Sequence, residues 1–221
     1  MNFQDFLKYV PNIIPVELPA VTSHLKMAPK ERIEGLKNLD IEALNARMAG
    51  VMMLFYPKQE KTHLVLIVRN AYDGVHSAQI AFPGGKYEKE DLDFETTALR
   101  ETHEEVGITS DKINIIKHFS PMYIPPSNFL VHPFLGIATE ELSFYPDIRE
   151  VAGIIELPLS VFLNDDIIIE ARLSTSYGAN ILVPAFNIQN HVVWGATAMI
   201  LSELRDVLKE AIEEINLIKF I

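Results

Sequence analysis

The sequence contains no cysteine, which excludes disulfides, thiolate metal sites and a cysteine nucleophile together. No apolar run reaches the roughly 18 residues that a membrane span requires. Residues 1–25 lack a basic stretch followed by an apolar core, so no secretory signal is visible. The end, Lys219-Phe220-Ile221, is not a peroxisomal address of the Ser-Lys-Leu kind. Basic residues are scarce: 19 Lys and Arg against 30 Asp and Glu leave a net charge of −11. That balance argues against general binding to nucleic-acid phosphates, which needs a basic footprint. It leaves room for a small anionic substrate, because a metal ion and a few local cations can reverse the field within a cleft. No internal repeat or low-complexity tract occurs. A cytoplasmic protein with neither a membrane nor a nucleic-acid partner is the expectation.

What is present is a compact chain of 221 residues with 48% hydrophobic content, enough for one sizeable domain with terminal additions. One stretch dominates: Gly85-Lys86-Tyr87-Glu88-Lys89-Glu90-Asp91, then Arg100-Glu101-Thr102-His103-Glu104-Glu105-Val106-Gly107. Asp93 is placed to cap a helix, Glu95 puts charge at the positive end of its dipole, and Gly107 suits a left-handed C-terminal cap. Ala98, Leu99, Thr102 and Val106 form an inward stripe with Phe94 at its edge. Glu101, Glu104 and Glu105 then fall within an arc of roughly 100°. Like-charged neighbours on a helix repel by roughly 0.2–0.5 kcal/mol per pair, and a divalent cation held by oxygen ligands converts that repulsion into binding energy. A solvated face with an Arg100–Glu104 pair is the plainer alternative.

Phe82-Pro83-Gly84-Gly85 followed by Arg100-Glu101-x-x-Glu104-Glu105-x-Gly107 resembles the Nudix box, the signature of Mg²⁺- or Mn²⁺-dependent hydrolases of nucleoside diphosphates linked to another group. One residue is inserted between Asp91 and Arg100 relative to the usual box, and Thr102 replaces an aliphatic residue. The insertion resembles the coenzyme A pyrophosphatase branch, through Gly84, Gly85, Lys86, Asp91, Asp93, Thr97, Ala98, Leu99, Arg100 and Glu101. That branch has an arginine where Gly74 stands and a glycine where Ala78 stands. Further matches are Leu66-Ile67-Val68-Arg69, Phe129-x-Val131-x-Pro133, Glu150-Val151, Pro158-Leu159 and Val193 to Ala198, so the likeness runs from about Arg47 to Leu204.

The resemblance implies Glu101 and Glu105 as principal metal ligands, Glu104 as a further ligand, and a backbone carbonyl of Gly84 or Gly85 in the same shell. Carboxylates suit Mg²⁺ and Mn²⁺, which keep several waters. Arg100 would orient a glutamate, with a structural ion pair or a phosphate contact as alternatives. Glu150 is the candidate general base, with Glu140, Glu141 and Asp147 as rivals. Arg47, Arg69 and Lys86 could meet phosphates or be ordinary surface cations. Phe129, Tyr123 and Trp194 could stack on a base or cover a pantetheine arm, although burial against the last helix is the plainer role for Trp194. The histidines His76, His103, His118 and His132 are scattered, without the short spacings of a zinc site. Ser77 and Ser127 lack a nucleophile elbow. The implied reaction is cleavage of coenzyme A or its thioesters. Hydrolysis of ADP-ribose, a nucleotide sugar or an oxidised nucleotide is an alternative, and a Nudix-fold sensor that binds without cutting is another.

Coarse patterning gives a helix from Phe3 ending near Pro11, a proline-broken connection to about residue 30, and a short helix over 41–47. Strands are expected over 49–56, 63–69, 75–81, 113–119, 129–138 and 151–156, with extended segments at 166–172 and 180–187. A long amphipathic helix covers about 196–216. The expected architecture is an α/β/α sandwich with a mixed sheet: an extension over 1–45 packed on a domain over 46–221. The extension could wrap the domain, close over the cleft or support a homodimer.

Overall fold

The computed structural model describes residues 1–38, 40, 45–70, 79–175 and 178–218. Three helices come first: α1 (Phe3–Ile13), α2 (Val21–His24) and α3 (Lys30–Lys37). α1 continues through Pro11, where termination was expected. A proline in the last turn forfeits little beyond one hydrogen bond, and Ile13 beyond it is fully buried. The connection to residue 30 is also more ordered than the prolines suggested. Pro19 and Pro29 stand at helix entrances, where their carbonyls accept from Thr22 and Arg32 N–H at 3.0 and 2.9 Å. Of the helix expected over 41–47, residues 41–44 lie outside the described residues and Arg47 already begins a strand.

That strand is β1 (Arg47–Lys58), followed by β2 (Lys61–Arg69), β3 (Ile80–Ala81) and β4 (Gly84–Lys86). Gln59 and Glu60 both take positive φ, the geometry that lets a two-residue turn follow the twist of a hairpin. Residues 75–78 of the strand expected over 75–81 lie outside the described residues. Next come α4 (Phe94–Val106), β5 (Asn114–His118), β6 (Met122–Ile124), β7 (Phe129–Ile137), β8 (Val151–Pro158), α5 (Leu159–Phe162), β9 (Ile168–Thr175), β10 (Gly178–Ile188), β11 (His191–Val193) and α6 (Gly195–Ile218). No helix among the described residues is long and apolar enough to cross a membrane.

Contacts divide the chain into two units, residues 1–3 with 45–160 and residues 4–44 with 161–221. The first holds an eight-stranded mixed sheet with the path β3-β2-β1-β7-β5, in which β4 and β6 pair with β1 and β7 and β8 with β2. The β1–β7 pair is parallel and its neighbours are antiparallel, so the expected mixed α/β fold is what the chain adopts. Met52, Leu54, Tyr56, Val65 and Ile67 from the sheet pack with Ala98 and Val106 of α4 in one buried cluster. In the second unit, β9, β10 and β11 make a three-stranded sheet. There His24 Nε2 lies 3.3 Å from Glu203 Oε2, and Ser202 Oγ donates to the Ser23 carbonyl at 2.8 Å. Residues 161–221 fall in the same unit as residues 4–44. Polar side chains of α6 find their partners around α2.

Candidate active site

β4 and α4 meet because both lack obstacles. Across β1 and β4, Gly50 pairs with Gly85 and Val51 with Gly84, and a Cβ on Gly50 would lie 2.3 Å from the Phe94 carbonyl oxygen. The helix backbone thus rests directly on the strand. Asp93 caps the helix, accepting from Thr96 N–H at 2.7 Å, and Gly107 closes it with φ 78°. Thr102, in an aliphatic position, is buried and donates its hydroxyl to the Ala98 carbonyl at 2.6 Å.

The three glutamates do not share one environment. Glu105, a member of the expected acidic arc, is only 2% exposed, lying beneath β4. One of its oxygens accepts from Gly84 N–H at 2.8 Å. The other lies 3.2 Å from Arg69 Nη1 without hydrogen-bond geometry, a buried oxygen lacking a hydrogen-bond partner. Glu104, one residue away and so about 100° around the helix, has a side chain 56% exposed. Glu101 lies between these extremes, its carboxylate about where a Cβ on Gly85 would be, 2.5 Å from that point. Arg100 gathers the arrangement. It donates to Asp91 through Nε and Nη2 at 2.9 and 3.0 Å, to Glu101 at 2.8 Å, to Glu104 at 3.1 Å and to the Lys86 carbonyl at 3.0 Å.

Electrostatics mark the same spot. Burial pushes the Glu105 carboxyl up to about 7; Arg69 and Gly84 N–H oppose the shift, while the charges of Glu101 and Glu150 add to it. Burial also raises Glu101, against the pull of Arg100, with Glu104 and Glu150 contributing. Glu150 thus bears electrostatically on both. It sits on a turn pinned to the end of α4, where Tyr145 N–H donates to the Val106 carbonyl at 3.0 Å and Asp147 N–H to the Glu105 carbonyl at 3.1 Å.

Among the described residues, no three acidic or histidine side chains converge on one point in metal-holding geometry. The arc expected from Glu101, Glu104 and Glu105 is opened because Arg100 draws two of them outward and Gly84 holds the third inward. The donor set nonetheless fits a hard cation. A buried carboxylate oxygen lacks a hydrogen bond, Gly85 leaves room for the Glu101 carboxylate, and neighbouring carboxylates add to the upward shifts of Glu101 and Glu105, a repulsion that a divalent ion relieves.

The other candidates have surroundings of their own. Arg47 stacks 4.1 Å above the Phe129 ring and donates to the Ser127 carbonyl at 2.7 Å. Lys86 is exposed at the end of β4, with its carbonyl taken by Arg100. Glu141 accepts from Gln59 N–H at 2.6 Å, and Trp194 is half-buried. His118 pairs with Glu95 and His132 stacks on Phe94. His76 and Ser77 lie outside the described residues.

Residues 46–171 match the NUDIX domain family. The chain belongs to it. Two proteins, each named "Uncharacterized Nudix hydrolase NudL", are similar. That of Yersinia enterocolitica is 32% identical over 167 residues, covering 72% of this chain and 80% of its own length. That of Photorhabdus laumondii is 34% identical over 168 residues, covering 72% and 84%. Among solved structures, the Nudix hydrolase RenU of M. smegmatis superposes with a TM-score of 0.52 at 15% identity, over 74% of this chain and 86% of that one. A MutT/nudix family protein of Enterococcus faecalis gives 0.50 at 15% identity, over 88% and 76%. These two structures bear on the fold alone.

Sequence reasoning passed over how much the Nudix site owes to Asp91. Its carboxylate also accepts from Thr97 Oγ1 at 2.8 Å and Glu88 N–H at 3.0 Å, and its side chain is 3% exposed. The Arg100 guanidinium is the chief cause that holds its pKa down, from 3.8 to about 2. A carboxyl depressed in the folded state stabilises above its unfolded pKa and loses that contribution as pH falls through the folded value. The Asp91→Asn protein is therefore expected to be less stable at pH 7, by roughly 2 kcal/mol. The deficit should shrink between about pH 4 and pH 2, as urea unfolding midpoints of both proteins measure.

Gly85→Ala is a complementary test. The added methyl meets first the far end of the Glu101 side chain, so thermal stability should change little while turnover falls roughly 10²-fold as that carboxylate is displaced. Unchanged turnover would mean that Glu101 works from elsewhere.

Proposed function

We propose that this Nudix hydrolase cleaves the diphosphate of coenzyme A or its thioesters, giving 3′,5′-ADP and a 4′-phosphopantetheine. The observation that carries the reading is the Asp91–Arg100 pair. The one-residue insertion between them, a mark of the coenzyme A branch, is absorbed with the arginine bonded through two nitrogens to the aspartate. Gly84-Gly85-Lys86 and Thr97-Ala98-Leu99-Arg100-Glu101 follow the same branch.

In this reading Glu101 and Glu105 hold the metal, with Glu104 and the Gly85 carbonyl able to complete its shell. Mg²⁺ or Mn²⁺, when bound, supplies neutralisation of the diphosphate oxygens and makes water more acidic. Arg100 keeps Glu101 aimed by a charge-assisted bond. Glu150, whose charge is felt at both ligands, takes the proton from the attacking water. One P–O bond forms, the bridging P–O bond breaks, and the departing phosphate carries away the negative charge. Lys86 and Arg69 lie at the edges of this group, where they can meet phosphate oxygens. Arg47 and Phe129, already stacked, offer a flat cationic surface to a base or a 3′-phosphate.

A panel of coenzyme A, dephospho-coenzyme A and ADP-ribose, assayed with Mg²⁺ and Mn²⁺ and with products identified by mass, tests the proposal. Preferred turnover of coenzyme A to 3′,5′-ADP supports it. A strong preference for ADP-ribose overturns the substrate, and nucleotide binding without cleavage of any member points to a sensor.

A further inference from the structure

The proposed chemistry uses Glu150 but leaves the tip of its turn unused. Residues 147–150 form a β-turn: Glu150 N–H donates to the Asp147 carbonyl at 3.0 Å, and the Asp147 carboxylate accepts from Arg149 N–H at 2.9 Å. Aspartate at the first position is what such a turn favours. The turn is held from both sides. Asp147 N–H donates to the Glu105 carbonyl, Asn70 Nδ2 donates to the Ile148 carbonyl at 2.7 Å, and Asn70 N–H donates to the Glu150 carbonyl at 2.8 Å.

On this fixed backbone the Ile148 side chain is left 83% exposed. Its neighbour Arg149 has its guanidinium bonded to the Asp147 carboxylate, so the tip offers an apolar contact and no unpaired charge. A lone exposed isoleucine is ordinary on a protein surface. This one stands two residues from Glu150, whose charge reaches both Glu101 and Glu105. A diphosphate held by those groups carries two arms, and the turn, bonded through Asp147 N–H to the Glu105 carbonyl, adjoins one of the residues that would hold it. A contact made by a rigid backbone loses little entropy on binding.

We propose that Ile148 is a specificity-determining residue that packs on the apolar arm joined to the diphosphate. This rests on the substrate reading above, in which that arm is pantetheine or its acyl derivative.

The test compares KM values of the wild type, Ile148→Ser and Ile148→Leu for coenzyme A, which carries the arm, and for ADP-ribose, which has a sugar in its place. The serine protein should shift the ratio of the two KM values against coenzyme A by about five- to tenfold. Its kcat should hold, and leucine should restore the ratio. A ratio within twofold of wild type, or an equal rise for both substrates, overturns the proposal while leaving the substrate assignment intact. A wild-type enzyme that cleaves ADP-ribose and spares coenzyme A overturns the substrate assignment and this inference together. At this exposure the substitution should leave stability within about 0.5 kcal/mol.

Discussion

Glu105→Gln is expected to lower metal-dependent turnover roughly 10²-fold or more, as weakening a catalytic metal does. Glutamine matches the carboxylate in shape, and its amide oxygen can still accept from Gly84 N–H as Glu105 does at 2.8 Å. Its NH₂ then faces the Arg69 guanidinium, which now lies 3.2 Å from the second oxygen. A donor is thereby set against a donor, and the negative charge is gone. The half-saturating Mg²⁺ or Mn²⁺ concentration should rise with the loss of kcat, while circular dichroism stays unchanged. Intact turnover in the glutamine protein would remove Glu105 from the ligand set.

Gly50→Ala carries the largest expected effect on folding. The new Cβ would stand 2.3 Å from the Phe94 carbonyl oxygen, 3.0 Å from Ala98 N and 3.2 Å from Thr97 Cβ. The first two are backbone atoms, so no rotamer change relieves the contact, and either α4 lifts or β1 bends. Overpacking of this kind costs roughly 1–3 kcal/mol and occasionally more, and a backbone obstacle puts this site at about 3 kcal/mol or above. Lifting α4 also moves Glu101 and Glu105 away from Gly84 and Gly85, so the folded fraction should lose activity as well. Gly35→Ala is the control: it lies in α3 with nothing within 4 Å of its Cβ position and should hold or raise stability. Urea unfolding of the three proteins separates these outcomes, and equal midpoints for Gly50→Ala and wild type would mean the helix sits less firmly on the strand.

Much of this was legible because it is local. Asp93, Gly107 and the spacing of Ala98, Thr102 and Val106 define α4 from capping and periodicity alone. The hairpin of β1 and β2 follows from two apolar runs with a short polar turn. The partners of the glutamates were less visible, because they are set by distant residues. Gly84 fixes Glu105 from 21 residues away, and nothing in the helix pattern states that the stripe will carry Glu105 under β4. Thr97 and Asp91 were legible as motif positions but not as partners: a buried threonine hydroxyl bonded to a buried aspartate looks like two surface residues until Arg100 is seen to hold that aspartate. The grouping of α6 with the N-terminal helices depends on His24 and Glu203, 179 positions apart, a pairing no local pattern announces.

The two bonds from Tyr145 and Asp147 to the final carbonyls of α4 have a mechanical meaning. They weld a segment without regular secondary structure to the end of the acidic helix, so the proposed base travels with the proposed ligands as one piece. A small tilt of that helix would be geared directly to the reach of Glu150. Substitutions beneath the helix should therefore detune proton transfer and ion grip in parallel, leaving few ways to alter one while sparing the other.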